Sequence, residues 1–413
     1  SPAIAGAAGR TRGATLAGNG GYFKSGRARS CFGFGLSLHS RGIHYLLCNR
    51  STNLRAAVSQ NNKCTHGRST LKTALGALLL LGLSTSALAD SHPIGFHRTT
   101  LADPQRPLEM VVWYPATTHA TAQVIDDSPV FVSASAVRDA PPTAGEHPLV
   151  VLSHGYRGNW SNQMWLASAL ADQGYIVAAV NHPGSTTHDR SPQAAAQLWQ
   201  RPVDLRRAIE AVVAQPEKFG AVAPQRIAVV GHSLGGWTAM EIAGARFDPE
   251  RFAEDCKAHV QLASCNVYKQ MNPASTAQGK ADLAADRRYK PVSAIVSLDL
   301  GLSRGMTDAS LAALPVPTLV IAAGAPSEDL PAQLESADLA KRLPAATTRY
   351  VEINDATHFS FTSICKPGAI EMLEEDAPGD GVICQDRDNA RPREVIQQQV
   401  VALISDFLAA SKP

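Results

Sequence analysis

Short apolar runs that alternate with helix-like segments are the feature that most restricts how this chain can fold. Seven runs are predicted strands, at residues 108–116, 147–155, 175–184, 226–232, 292–300, 317–324 and 348–355. Helical spacing of apolar residues predicts helices at 162–174, 201–215, 234–245, 331–343 and 393–410. Several of these strands are apolar on both faces, so both faces must be covered. The alternation therefore predicts an α/β fold, with a mostly parallel central sheet and helices on both faces.

The charge balance argues against one large class of function. The 413 residues include 38 Lys and Arg against 36 Asp and Glu, a formal net charge of +2. This excess is too small to suggest nucleic-acid binding, and no basic cluster with interleaved aromatic residues is present in the body of the chain. Hydrophobic residues make up 45% of the chain, which is enough to bury a core. Residues 90–413 are the predicted α/β domain.

Residues 68–89 have the pattern of a secretory signal peptide. A positively charged start precedes an apolar run at 74–83, and Ala-Leu-Ala at 87–89 is a small-x-small cleavage site before Asp90. The run is too short for a comfortable membrane span, and a buried helix is the alternative interpretation. The pattern predicts a secreted or periplasmic protein, with no transmembrane span in the mature chain.

Residues 1–67 are rich in Gly, Ser, Ala and Arg and almost free of acidic residues. Since a signal peptide normally begins near the start of a protein, we interpret this stretch as a non-native or disordered N-terminal extension. An organellar transit peptide, which has a similar composition, is the alternative. Neither interpretation assigns these residues to the predicted domain.

Cysteine usage agrees with export. The predicted mature part contains Cys256, Cys265, Cys365 and Cys384, which fall into two local pairs. An oxidising compartment would permit the bridges Cys256–Cys265 and Cys365–Cys384, and free buried thiols are the alternative. A zinc site is not expected, because no pair has the C-x2-C spacing.

Gly231-His232-Ser233-Leu234-Gly235 lies where a predicted strand meets a predicted helix. In a sharp strand-to-helix turn the serine has a strained backbone, and small residues two before and two after it avoid clashes. The free N–H groups at the start of the following helix point at the same spot. The pattern therefore predicts that Ser233 is a nucleophile, with a merely structural serine as the alternative.

A nucleophilic serine needs a base and hydrogen-bond donors for the developing oxyanion. His358 follows the last predicted strand and is the predicted general base, with a surface histidine as the alternative. The N–H of Leu234, the residue after the serine, is one predicted donor. The second is the N–H of Tyr156 in the glycine-bearing loop after an earlier strand, with Gly155 or Arg157 as neighbouring alternatives.

Two segments together resemble a known family. The loop and strand at 152–185, with the serine turn at 226–236, resemble the secreted platelet-activating factor acetylhydrolases and the bacterial predicted dienelactone hydrolases of the α/β-hydrolase superfamily. The residues around His358 resemble those of polyester-degrading cutinases more distantly. The resemblance covers roughly 93–408. It implies an α/β-hydrolase fold and acyl transfer to water.

The acid of the triad has two possible positions. In the acetylhydrolases the acid lies at the end of a strand that comes one strand earlier than in most α/β hydrolases. The resemblance to that family implies Asp299 here. The commoner position lies one strand later, and there Glu328 and Asp329 are the alternatives, since Ser327 stands where the usual aspartate would fall. In a structural reading, Glu328 and Asp329 are the acidic first turn of the next predicted helix.

The sequence thus predicts a serine esterase that acts on a small-molecule ester or lipid, with a possible cap insertion at 247–290. Short-chain acyl and phospholipid-type esters are the expected substrates. Neither a metal nor an organic cofactor is implied, because the chain has no ligand cluster and no G-x-G-x-x-G after a strand. The alternatives are a lipase, thioesterase, amidase, polyesterase or acyltransferase on the same triad, or a non-catalytic binding protein of this fold.

Overall fold

The structure is a computed structural model that describes residues 93–411. The predicted signal peptide at 68–89 and the extension at 1–67 lie outside these residues. The strands are β1 Ile94–Leu101, β2 Leu108–Pro115, β3 Gln123–Val124, β4 Ser135–Arg138, β5 Glu146–Ser153, β6 Ile176–Asn181, β7 Ala221–His232, β8 Val292–Leu298, β9 Thr318–Ala323 and β10 Thr348–Ile353.

The helices follow the strands in the order expected of an α/β fold. They are α1 Met164–Asp172, α2 Pro192–Ala195, α3 Gln200–Val213, α4 Pro216–Phe219, α5 Leu234–Ala243, α6 Pro249–Ala258, α7 Ala263–Met271, α8 Ala277–Ala284, α9 Asp308–Ala312, α10 Ser336–Arg342, α11 Ala369–Asp376 and α12 Arg393–Ala410. Short 3-10 helices are Trp160–Gln163, Ser303–Gly305, His358–Phe361 and Asp380–Cys384.

One sheet of ten strands runs through the molecule in the order β10-β9-β8-β7-β5-β6-β2-β1-β4-β3. The strands from β10 to β6 in this order pair in parallel. β2 pairs antiparallel with both β6 and β1. The mostly parallel sheet predicted from the apolar runs is therefore confirmed.

Both faces of the sheet are buried. Alternate residues of β5 belong to two separate apolar clusters: Leu149 and Val151 pack into one, and Val150 and Leu152 into the other. Because side chains alternate across a strand, a run that is apolar at every position supplies both clusters at once. This packing explains why the central strands show no alternation of polar and apolar residues.

The carboxyl ends of the central strands meet at one edge of the sheet. Ser153 of β5 lies beside Gly231 of β7, which lies beside Ser297 of β8. Leu298 of β8 in turn lies beside Ile321 of β9. The loops that follow these strands therefore start next to one another, which is where ligands bind in open α/β sheets.

The predicted insertion at 247–290 contains three helices, α6, α7 and α8, between α5 and β8. Arg304 connects it to the rest of the domain, because its Nε donates to Asp255 Oδ2 of α6 at 2.6 Å while its Nη1 donates to the buried carboxylate of Glu335. Four aromatic side chains form a buried or half-buried cluster between α5 and the insertion: Trp237, Phe247, Phe252 and Tyr268.

A predicted helix is shorter in the structure, and a strand that was not predicted is present. The helix predicted at 331–343 is observed only as α10, from Ser336 to Arg342. Glu335, just before it, instead accepts hydrogen bonds from the backbone and hydroxyl of Ser303. Strand β1, which pairs with β2 and β4, was not predicted, because its second half alternates between half-buried and exposed residues rather than forming an apolar run.

Both predicted disulfides are present, Cys256–Cys265 and Cys365–Cys384. The first joins α6 to α7 within the insertion. The second joins the segment after the 3-10 helix of His358 to a later 3-10 helix. Over residues 93–411, none of the helices combines the length and the apolar character that a membrane span requires.

We expect the Cys365→Ala/Cys384→Ala double variant to lose about 3 kcal/mol in free energy of unfolding, because the bridge closes a loop between residues 19 apart. The Cys256→Ala/Cys265→Ala variant should lose somewhat less, since its cysteines are only 9 apart. Denaturant unfolding of both variants and the unchanged protein measures this. Equal stability of all three would contradict the prediction.

Candidate active site

Ser233 occupies a strained turn between β7 and α5. Its φ is 56° and its ψ is −121°, a backbone conformation that residues with side chains rarely adopt. A Cβ on Gly231 would lie 1.9 Å from the carbonyl oxygen of Gly235, and a Cβ on Gly235 would lie 1.9 Å from that of Ser153. Both positions therefore require glycine, for the reason the Gly-x-Ser-x-Gly pattern implied.

His358 and Asp299 are joined by a short hydrogen bond. His358 Nδ1 lies 2.7 Å from Asp299 Oδ2. Asp299 directly follows β8, has a φ of 45° and is 2% exposed. Its backbone N–H donates to Ile321 O at 2.8 Å, and its other carboxylate oxygen accepts from Ala323 N–H at 2.9 Å. The carboxylate is thus held from β9 and oriented towards the histidine ring.

The alternative acids lie near the site but are not bonded to the histidine. Glu328 and Asp329 line the same cavity as His358. Asp329 Oδ1 accepts from the Ser327 hydroxyl at 2.6 Å. In the described part of the chain, the carboxylate that is hydrogen-bonded to His358 is that of Asp299.

The two predicted oxyanion donors lie at the wall of the cavity that contains Ser233. Leu234 is the first residue of α5, so its N–H has no partner within the helix and lies at the positive end of the helix dipole. Within residues 93–411, neither its N–H nor that of Tyr156 donates to a protein acceptor. The neighbouring alternative Arg157 differs, because its N–H donates to Ser185 O at 2.9 Å.

A second Ser-His-Asp set lies beneath the site. His182 Nε2 is 2.9 Å from Ser153 Oγ, and His182 Nδ1 is 2.9 Å from Asp204 Oδ2. All three side chains are inaccessible to solvent, and Asp204 also accepts two hydrogen bonds from Arg106. Burial lowers the pKa of His182 well below its usual range, so the ring stays neutral. Its burial marks this set as structural.

His232 supports the catalytic candidate His358. Its Nε2 lies 2.9 Å from the carbonyl oxygen of His358, and the two rings lie 4.6 Å apart. Burial holds the pKa of His232 well below its usual range, so the ring is neutral and donates this hydrogen bond through Nε2–H. The residue before the serine therefore fixes the loop of the histidine.

Two cavities meet at the serine. The larger has a volume of about 760 Å³ and the smaller about 500 Å³, and Ser233, His358, Tyr156 and Phe359 line both. The apolar lining of the larger cavity includes Val267, Leu302, Ala325, Pro326 and Leu330. The smaller is lined by charged and polar groups that include Arg98, Glu109, Asp126, Arg157, Asn181 and Arg190.

Val382 lies in the walls of both cavities and is 46% exposed. It belongs to the 3-10 helix that ends at Cys384, so the Cys365–Cys384 disulfide anchors it to the segment that follows His358. The sequence did not single out this residue. The sequence feature that could have indicated it is Cys384, whose disulfide to Cys365 holds this 3-10 helix near the site.

One cluster has the residue types of a metal site but not the chemistry. Asp255, Cys256 and Cys265 bring their side-chain atoms within 4.8 Å of one another. Both sulfurs belong to the disulfide, so neither is a thiolate that could bind a metal ion.

Comparison with known proteins places the chain in a family. Residues 150–367, more than half of the chain, match the model of the alpha/beta hydrolase family. A cutinase of Thermobifida alba is 25% identical over 215 residues, which cover 51% of this chain and 53% of that protein. A bis(hydroxyethyl) terephthalate hydrolase of Streptomyces coelicolor is 25% identical over 218 residues, 52% of each chain. The chain thus matches about half the length of these curated relatives.

A solved structure shows the same fold. The ferulic acid esterase from Streptomyces cinnamoneus superposes with a TM-score of 0.52 at 21% identity, over 78% of this chain and 91% of that one. The serine turn between β7 and α5 and the parallel sheet lie within the region that the family model matches. The chain therefore belongs to the alpha/beta hydrolase family.

Proposed function

We propose that the protein is a serine hydrolase that cleaves carboxylic esters through Ser233, His358 and Asp299. The observation that carries this proposal is the 2.7 Å hydrogen bond from His358 to the buried carboxylate of Asp299, at the wall of the cavity that also contains Ser233. A histidine held by a carboxylate through Nδ1 has Nε2 left to accept the proton of a serine.

Acylation uses the strained turn and the two N–H groups. His358 Nε2 takes the proton of Ser233 while the serine oxygen forms a bond to the ester carbonyl carbon. The carbonyl oxygen becomes an oxyanion that accepts from the N–H groups of Leu234 and Tyr156. His358 then gives its proton to the ester oxygen, the carbon–oxygen bond breaks, and the alcohol leaves.

Deacylation repeats these steps with water. His358 Nε2 takes a proton from water as its oxygen forms a bond to the acyl carbon, and the same N–H groups stabilise the second oxyanion. The carbon–oxygen bond to Ser233 then breaks, and the serine recovers its proton from the histidine. In both halves Asp299 stabilises the cationic ring and fixes its orientation.

The two cavities suggest where the acyl and alcohol parts of an ester bind on either side of Ser233. We propose that the larger, more apolar cavity takes the acyl part of a short-chain or phospholipid-type ester. The smaller cavity, with its charged and polar lining, takes the alcohol part. The relatives are named cutinase and bis(hydroxyethyl) terephthalate hydrolase, and the similarity to proteins with these names supports an ester as the substrate.

We also propose that the protein acts outside the cytoplasm. Its two disulfides suit an oxidising compartment. The signal-peptide pattern at 68–89 is the independent support for export.

Hydrolysis of p-nitrophenyl esters from acetate to palmitate tests the proposal. We expect the highest kcat/KM with short acyl chains, release of the free acid, and labelling by a fluorophosphonate probe. Preference for palmitate would favour a lipase, and ester formation with added methanol in place of the acid would favour an acyltransferase. If the protein neither cleaves any ester nor is labelled, the ester-hydrolase proposal fails, and thioesters, amides or a binding role remain.

Val382→Trp should change the selectivity for chain length. A larger side chain between the cavities should lower kcat/KM for the octanoate ester about ten-fold more than for the acetate ester, because a discrimination of this size is typical of a filled apolar pocket. Val395→Trp, at an exposed valine of α12 that lines neither cavity, is the matched control. The same loss for both esters would argue against a role in selectivity.

A further inference from the structure

Arg201 is a buried cation that contacts the two segments carrying the proposed oxyanion donors. It lies in the first turn of α3 and is 2% exposed. Its guanidinium donates in three directions: Nη2 to His154 O, Nε to Thr238 Oγ1 at 3.0 Å, and Nη1 to Ser185 Oγ at 2.7 Å. One side chain thus joins three segments that are far apart in the sequence.

Two of these contacts lead to the residues of the proposed donors. The hydroxyl of Thr238 accepts from Arg201 and itself donates to Leu234 O at 3.0 Å. His154, whose carbonyl Arg201 holds, is two residues before Tyr156. Arg201 therefore connects the first turn of α5 with the loop that carries the other donor.

The third contact, to Ser185, stabilises the loop that carries Tyr156. Ser185 receives the Arg201 hydrogen bond on its side chain, and its carbonyl oxygen accepts the N–H of Arg157 at 2.9 Å. Arg157 has a φ of 59°, so the loop turns sharply immediately after Tyr156. Both ends of the short loop are thus held by groups that Arg201 contacts.

The ring of His154 orients the peptide between Gly155 and Tyr156. Its Nε2 accepts from His182 N–H at 3.0 Å, so the proton is on Nδ1, which donates to Gly155 O at 2.7 Å. The carbonyl and N–H of a trans peptide point in opposite directions, so fixing Gly155 O also fixes the direction of Tyr156 N–H. Arg201 holds the backbone of this same histidine.

The charge of Arg201 faces neutral oxygen atoms. Its donors meet hydroxyl and carbonyl groups, while the nearby carboxylate of Asp204 accepts from Arg106 and His182. Burial lowers the pKa of Arg201 to about 9, so it is still a cation at neutral pH. A buried positive charge behind an oxyanion site stabilises negative charge that develops there.

We propose that Arg201 is a positioning residue of the oxyanion site, which orients the Tyr156 N–H through His154, anchors the first turn of α5 with the Leu234 N–H through Thr238, and places positive charge behind both donors. This inference rests on the proposed function, because an oxyanion forms only if Ser233 attacks a carbonyl group.

Arg201→Gln, Arg201→Lys and Thr238→Val test the inference, with Arg206→Gln as control. Arg206 is on the same helix but is exposed and pairs with Glu210. We expect Arg201→Gln to lower kcat for p-nitrophenyl butyrate about 100-fold, the size of losing one oxyanion donor, with KM changed less than about 3-fold. Arg201→Lys should recover part of the loss, because it keeps the charge but not all three contacts. Arg206→Gln should have no effect.

Affinity for butylboronic acid separates positioning from a merely structural role. Its tetrahedral adduct on Ser233 places an oxygen where the oxyanion forms, so Arg201→Gln should weaken this affinity far more than it changes KM. Thr238→Val has nearly the same shape but lacks the hydroxyl that accepts from Arg201 and donates to Leu234 O, while the Arg201 contacts to His154 and Ser185 remain. It should lower kcat and boronate affinity together, and it keeps the inference testable if Arg201 variants do not fold.

Unchanged kcat and boronate affinity in folded Arg201→Gln or Thr238→Val would overturn the inference. So would a loss of kcat that only matches the loss of folded protein, measured by thermal unfolding. The proposed function fails in a different way, through the absence of Ser233-dependent ester hydrolysis in the unchanged protein, and Arg201 would then lose its proposed role as well.

Discussion

Ser233→Ala is expected to lower kcat for p-nitrophenyl butyrate by about 10⁶-fold and to abolish labelling by a fluorophosphonate probe. The proposed mechanism forms a covalent bond to the serine oxygen, which alanine lacks. The fold should survive, because alanine fits where serine does and the strained φ of 56° is maintained by the surrounding strand and helix. The thermal unfolding temperature should stay close to that of the unchanged protein.

Two other serines provide controls for this experiment. Ser153 has a histidine and an aspartate at hydrogen-bonding distance but is inaccessible to solvent, so Ser153→Ala should retain fluorophosphonate labelling of the folded protein. Ser327 lines the same cavity as Ser233 but bonds to Asp329, so Ser327→Ala should keep most of the activity. Labelling that persists in Ser233→Ala and disappears in Ser327→Ala would contradict the assignment of the nucleophile.

The serine turn could be predicted because its requirements are local. Gly231 and Gly235 are needed by backbone contacts within the turn or with the adjacent strand, so the residue types alone indicate the geometry. The central strands could be predicted for a similar reason, since each contains an apolar run that must be covered on both faces. Strand β1 lacks such a run and was missed.

The choice of acid could not be made from the residues alone. The candidates Asp299, Glu328 and Asp329 all follow strands that end at the same edge of the sheet. The sequence alone therefore allows each of them to lie near His358. What separates them is the conformation of single residues. A φ of 45° at Asp299, with a backbone N–H of β9 on one carboxylate oxygen, directs the other oxygen to His358.

The buried polar network was missed for a different reason. Arg201 and Asp204 were part of a predicted helix, where charged residues are usually taken to face solvent. Their spacing places them on the same stripe as Leu205 and Ala208, which is the buried face of α3. Charges on the apolar stripe of a helix were the available signal, because a buried charge must find hydrogen-bond partners inside the fold.

Asp299→Asn is expected to lower kcat about 10⁴-fold while leaving KM and folding nearly unchanged. The backbone N–H of Ala323 donates to one carboxylate oxygen, so the asparagine should keep its carbonyl there and turn its NH2 group to His358 Nδ1. The ring must then accept at Nδ1 and carry its proton on Nε2. In that tautomer it cannot take the proton of Ser233.

Glu328→Gln and Asp329→Asn are the matched controls, because both carboxylates line the same cavity and carry the same charge as Asp299. Neither is bonded to His358 in the described part of the chain, so each substitution should change kcat less than about 3-fold, as expected for the loss of a charge that does not orient the ring. If Glu328→Gln instead caused the large loss and Asp299→Asn the small one, the loop after β9 would have to carry the acid during catalysis. The hydrogen bond between Asp299 and His358 would then be structural, because a bond that orients the general base cannot be removed without lowering kcat.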